Sequence, residues 1–147
     1  MSESLLQIAT RIACVAHAGQ VDKQGEPYIF HVMRVALAVD GEEARTLALL
    51  HDVVEDTGWS LDDVHGAGIP EEVVISLRYL TRTKSETYAG YIEGLVEYGD
   101  PAAIAVKLAD LADNLRPERI STLPPEQAAS LSKRYHAAYR RLSEVGG

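Results

Sequence analysis

Apolar residues recur at the three-and-four spacing of an α-helix along almost the whole chain, and no stretch alternates long enough to build a sheet. That regularity restricts the fold to the all-α class. Proline and glycine divide it into pieces. A first helix is expected from about Ser4 to Ala18, with Leu5, Ile8, Ile12 and Val15 inward, and Gly19 ends it. The polar loop GQVDKQGEPY leads to Pro27, suited to the first turn of a second helix, which carries His31, Val35 and Ala38 on one stripe. A third runs from about Glu42 to Asp56 and stops near Gly58.

Ser60 with Asp63 forms a capping-box pattern for a short fourth helix, and Pro70-Glu71-Glu72 opens a fifth. Ser85 caps a sixth that ends at Gly99, and Asp100-Pro101 starts a seventh that Pro117 stops. A more polar last helix covers about residues 124–143. The 147 residues thus predict one domain, a compact bundle of seven or eight helices, with its motifs between about 5 and 120.

The formal charge of −8 argues against binding the backbone of DNA or RNA, which calls for an excess of Lys and Arg. No apolar run approaches a membrane span, and the start MSESLLQIAT lacks a basic leader. Cys14 alone cannot form an intrachain disulfide; its Ala/Val/Ile surroundings predict a buried, inert thiol. These features predict a soluble cytoplasmic protein, and nothing in the pattern selects an oligomeric state.

The stretch LALLHDVVEDT, 47–57, concentrates chemistry. His51 shares a stripe with Leu47 and so points inward; Asp52, Glu55 and Asp56 crowd a helix C-terminus, where the macrodipole disfavours carboxylates. KLADLADN repeats the anomaly with Asp110 and Asp113, after Lys107 and before Asn114. Two readings fit: solvated acidic helix ends, or a shared divalent cation of the Mn, Fe or Zn type held by His51 and Asp52 with Asp110 and His31. His17, at a helix end, suits capping or structural duty, and His65 and His136 lie in polar surroundings. Tyr88, Tyr91, Ile92 and Leu95 form a helical stripe that reads as core.

AHAGQ (16–20), KQGEPYIFH (23–31), ALLHDVVEDT (48–57) and VKLADLADN (106–114) together resemble the HD superfamily of metal-dependent phosphohydrolases. They are most similar to the hydrolase domain of RelA/SpoT-type alarmone enzymes and their small stand-alone hydrolases. The resemblance implies an HD-type bundle with His31, His51, Asp52 and Asp110 as metal ligands, commonly for Mn²⁺. It makes Glu55 and Asp56 the acids that position or activate water, and puts Asn114, Lys23 and Tyr28 by the nucleotide. Lys107 and Arg116 are the basic residues best sited to meet phosphates, ahead of Arg82 and Lys84.

The implied activity is hydrolysis of the 3′-pyrophosphate of (p)ppGpp, a small-molecule substrate. With no synthetase segment in the chain, activity is expected to be hydrolytic only. Three positions depart from the pattern: Asp22 where the loop usually carries a basic residue, Pro117 where Thr is frequent, and Val32 in place of Pro. The first two fall in base recognition. They keep open an HD-type phosphatase acting on a nucleoside monophosphate or NADPH, and a non-catalytic nucleotide-binding module.

Overall fold

Caps and breakers set the helix boundaries in the computed structural model, which describes residues 3–146. Helix α1 (Leu5–Ala16) opens on a reciprocal capping box: the Ser4 hydroxyl accepts from the Gln7 amide, and the Gln7 side chain accepts from the Ser4 amide at 2.8 Å. The loop to α2 (Tyr28–Ala38) turns through Gly19 and Gly25, both at positive φ, and the Asp22 carboxylate accepts from the Gln24 and Glu26 amides, each at 2.9 Å. Then come α3 (Glu42–Leu50), α4 (Val53–Asp56), α5 (Leu61–Gly66), α6 (Glu71–Tyr79), α7 (Tyr88–Tyr98), α8 (Pro101–Asn114), α9 (Pro117–Ile120) and α10 (Pro125–Gly146).

The fold is all-α and compact; among the described residues the only extended pairing is an isolated bridge between Val21 and Pro27. No described helix is long and apolar enough to cross a membrane. Helix α3 is the central element. It packs against α1, α2 and α8, and all six residues Ala44 and Thr46–Leu50 are buried. Leu47 and Leu50 meet a core that includes Ile12, Val32, Val35, Val106 and Leu111. Helix α10 lies across α7 and α8, contributing Ala138 and Leu142.

Several boundaries differ from expectation, each for a local reason. Ten helices rather than seven or eight are present among the described residues, because two four-residue helices, α4 and α9, stand apart. The expected continuous helix over 42–56 breaks at His51-Asp52. There the His51 ring binds the Ala48 carbonyl at 2.6 Å, occupying the acceptor that the Asp52 amide would use, and Asp52 leaves helical geometry at φ −107°, ψ 0°.

Pro117 does not merely stop α8, which closes at Leu115; its fixed φ starts α9. Thr87, not Ser85, caps α7, its hydroxyl accepting from Gly90, and α10 runs on to Gly146, past the expected end near 143. Along α1 the inward face runs through Ala9, Ile12 and Ala13, which leaves Val15 61% exposed and Cys14 exposed rather than buried. Ala38 likewise faces out while Val39 is buried.

Candidate metal centre

Helices α2 and α8 and the α3–α4 break bring His31, His51, Asp52 and Asp110 to one point, with a ligand atom from each within 4.8 Å of the others. Asp110 Oδ1 is the hub, 2.9 Å from His31 Nε2 and 3.3 Å from His51 Nε2. Asp52 Oδ2 lies 2.9 Å from His51 Nε2 and 3.7 Å from His31 Nε2. All four residues are buried. In a regular helix, adjacent residues point about 100° apart; the break lets His51 and Asp52 converge.

Both imidazoles are held from behind. The His51 Nδ1–H donates to the Ala48 carbonyl, and the His31 Nδ1–H donates to Asp113 Oδ2 at 2.6 Å. Arg119 Nη1 lies 2.8 Å from that same His31 nitrogen, but its two protons are taken by Asp113 Oδ2 and Asn114 Oδ1, each at 2.8 Å. With Nδ1 engaged on each ring, both Nε2 atoms face the cluster. This carbonyl- or carboxylate-backed histidine is the arrangement that orients metal ligands. Arg34 grips Asp113 in turn, with Nε at 2.8 Å and Nη2 at 3.1 Å.

Without a cation the cluster is balanced by protons. Burial opposes charge on His51, yet the Asp52 and Asp110 carboxylates outweigh it and raise its pKa well above the ordinary value. Burial likewise opposes ionisation of Asp52, but the His51 charge and hydrogen bond bring its pKa down to about 2. Asp110 is held well below the carboxylate range against its burial by Lys107, whose Nζ is 2.9 Å away, and by both histidines. Two imidazoles and two carboxylates form a donor set that suits a divalent transition metal.

Above the cluster opens a cleft of about 430 Å³. The Tyr28 hydroxyl donates to Asp52 Oδ2 at 2.5 Å and lies 3.3 Å from Asp56 Oδ2; with one proton, the shorter contact is the bond. Glu55 accepts from the Arg82 amide at 2.8 Å, and burial followed by the Asp52 charge raises its pKa. The same two causes push Asp56 up to about 6. Five cations, Lys23, Arg82, Lys107, Arg119 and Arg134, line the cleft with these acids.

Of the remaining residues expected at the site, Lys23, Tyr28, Lys107 and Asn114 line the cleft. Asn114 also approaches Asp110 Oδ1 at 3.4 Å. Arg116 does not line it: it is bound to Glu118 at 2.7 Å and turned to solvent. Tyr91, Ile92 and Leu95 are core as expected, but Tyr88 is half-buried on the cleft, its ring faced by Arg134 at 4.8 Å, Arg82 at 5.5 Å and Lys107 at 6.0 Å. His17 caps α1 as a buried ring rather than as a cation: burial lowers its pKa, its Nδ1 meets Gln20 Oε1 at 2.8 Å, and it packs behind Tyr28 at 5.0 Å.

Asp113 is legible in the sequence as part of the acidic end of α8 but not as the backing of His31, and Arg34 and Arg119 are not legible as site residues. Asp113 lies one turn after Asp110, and Arg34 one turn after His31, so helical spacing held a signal for those two. Arg119 depends on α9, which had none.

The all-α bundle gathers two histidines and two aspartates beneath one cleft, the arrangement that the resemblance to HD-type proteins implies. No family model matches the chain. It is 36% identical over 142 residues to the bifunctional (p)ppGpp synthase/hydrolase RelA of Mycobacterium tuberculosis, covering 86% of this chain and 18% of that protein. It is 33% identical over 134 residues to the guanosine-3′,5′-bis(diphosphate) 3′-pyrophosphohydrolase of Haemophilus influenzae, covering 83% and 20%. The chain therefore spans about a fifth of the length of the curated relatives it matches. A solved structure described as a metazoan ortholog of SpoT that hydrolyzes ppGpp superimposes with a TM-score of 0.76 at 26% identity, over 99% of this chain and 95% of that one. In sequence and in fold the chain is similar to (p)ppGpp hydrolases of the HD type.

Proposed function

We propose that the chain is a metal-dependent phosphohydrolase that removes the 3′-pyrophosphate of (p)ppGpp, with Mn²⁺ as its metal and the cytoplasm as its compartment. The observation that carries this reading is the convergence of four metal-type donors within 4.8 Å, beneath a cleft lined by both carboxylates and cations. The relatives' named activities supply the substrate. A net charge of −8 supports a small nucleotide rather than a polymer.

In this mechanism His31, His51, Asp52 and Asp110 hold the ion. Bound there, a divalent metal would supply Lewis acidity, easing deprotonation of water near neutral pH and drawing charge from a phosphoryl oxygen. Asp56, poised near neutrality, is the proton acceptor for the attacking water. Glu55, tied to the Arg82 amide, orients that water. Lys107 remains charged: burial opposes this, but Asp110 and the neighbouring tyrosine rings raise its pKa well above the ordinary value, so it faces phosphoryl oxygens as a cation. Lys23, Tyr28 and Asn114 border the nucleoside. Water adds across the bond between the ribose 3′ oxygen and phosphorus, releasing pyrophosphate and leaving the 3′ hydroxyl.

The test is a product-resolved assay of the Mn-loaded protein on a panel of nucleotides. Pyrophosphate from guanosine 3′,5′-bis(diphosphate), abolished by Asp52→Ala together with bound Mn²⁺, is the expected result. Orthophosphate from a nucleoside monophosphate or NADPH would replace this substrate with another. Inactivity of the wild-type protein on the whole panel would refute hydrolysis.

A further inference from the structure

Among the described residues, four buried side-chain polar atoms have no hydrogen-bond partner, and three of them belong to residues that line the cleft: Arg119 Nε, Gln24 Oε1 and Tyr88 Oη. Native interiors rarely leave such atoms unanswered, and unpartnered atoms on residues that line a cleft mark where a ligand can complete the set.

Arg119 is the most constrained of the three. Its Nη1 donates to Asp113 and Asn114, each at 2.8 Å, and its Nη2 lies 3.6 Å from Asp22 Oδ2. Its backbone carbonyl accepts from Gln24 Nε2 at 2.7 Å and from the Thr122 hydroxyl at 2.9 Å. Its Nε–H is the buried donor left without a partner, on a guanidinium whose side chain is 13% exposed. The Gln24 amide is oriented by the same contacts. Its NH₂ has acceptors at Arg119 O and at Thr122 Oγ1, 3.0 Å away, so its Oε1 is the free end.

Arg119 and Gln24, which line the cleft and are bonded to each other, thus leave one donor and one acceptor unanswered. A phosphate presents acceptors only, whereas the edge of a nucleobase presents an N–H beside a carbonyl oxygen or ring nitrogen. Arg119 also reaches the other end of the site. The Asp113 Oδ2 it grips is the atom that receives the His31 Nδ1 proton.

We propose that Arg119 is a substrate-positioning residue that reads the nucleobase edge together with Gln24 and, through Asp113, fixes the orientation of His31. The loop acid Asp22 belongs to this device: its carboxylate faces the arginine that α9 supplies. The proposal rests on the nucleotide reading above, and its test uses binding alone, so that absent turnover and absent positioning give different results.

Affinity for guanosine 3′,5′-bis(diphosphate), and for base-free ribose 5-phosphate, is measured by titration on the metal-free protein, and Mn²⁺ affinity by separate titration. Circular dichroism checks the fold of each variant. Arg119→Lys keeps a cation for Asp113 but has no Nε–H, so nucleotide affinity should fall about tenfold, as for one hydrogen bond to a charged group, with ribose 5-phosphate and Mn²⁺ binding unchanged. Arg119→Met should weaken Mn²⁺ binding about tenfold as well. Wild-type nucleotide affinity in Arg119→Lys, or an equal loss for ribose 5-phosphate, overturns the base contact. Wild-type Mn²⁺ affinity in folded Arg119→Met overturns the link to His31. Binding without turnover in the wild type would refute hydrolysis and leave this proposal standing.

Discussion

Asp56 is suited to catalysis at a cost in stability, and Asp56→Asn should expose that cost. Burial and the Asp52 charge raise its pKa from 3.8 to about 6. A rise of that size corresponds to roughly 3 kcal/mol at neutral pH for a fully desolvated carboxylate. Asp56 is exposed on one side, and solvent screening reduces the figure to about 1 kcal/mol. Asparagine keeps the shape without the charge. Because Tyr28 donates to Asp52 at the shorter distance, the substitution removes little hydrogen bonding.

The pH profile carries the sign. Between about 4 and 6 the folded chain keeps a proton on Asp56 that the unfolded chain has released, so stability falls as pH rises through this window and levels off above it. Asparagine does not titrate. In thermal melts of metal-free protein, variant and wild type should coincide near pH 4, separate as pH rises, and differ by about 3 °C in favour of the variant at pH 7. Loading with Mn²⁺ should shrink the gap, since a cation offsets the Asp52 charge. Hydrolysis should meanwhile fall by about 10²–10⁴. A gap independent of pH, or a variant less stable at pH 7, would refute the reasoning.

Asp113→Asn removes the carboxylate that backs His31 and leaves Arg34 and Arg119 facing a neutral amide; Mn²⁺ affinity by titration should drop about 10–100-fold with the helical content retained. Leu47→Ala empties a fully buried position at the centre of α3 and should cost about 2–5 kcal/mol in urea unfolding. Cys14, exposed on α1, should react stoichiometrically with a maleimide in the native protein, without loss of Mn²⁺ binding.

What was legible in the chain follows from how local each feature is. The all-α class, the Ser60 and Asp100 caps and the inward stripe of α3 rest on contacts within a few residues, and they appear as expected. Convergence of His31, His51, Asp52 and Asp110 is long-range, and the motifs rather than the periodicity pointed to it. The break at His51-Asp52 was hidden, because it depends on a ring competing for a backbone carbonyl, which no spacing rule records. Arg134 and Tyr135 reach the cleft from a helix whose polar composition gave no sign that it would pack there. Arg119 was invisible for a related reason: its partners Asp22 and Gln24 lie in a loop far upstream and meet it only through the fold.

The break also shows how a locally unfavourable backbone is kept in place. A continuous helix would spread His51 and Asp52 around its axis, leaving one of them unable to reach Asp110. Ending α3 at Leu50 and restarting at Val53 turns both side chains to the same cluster, at the loss of helical geometry at Asp52. Leu50 and Val53, the residues on either side, are both fully buried, so neither end can slide without exposing core. The His51 ring then answers the Ala48 carbonyl, and the Asp56 amide closes on the Asp52 carbonyl at 2.9 Å, which leaves few backbone groups unpaired across the gap. Packing holds the kink, hydrogen bonds offset it, and the kink makes the four-donor cluster geometrically possible.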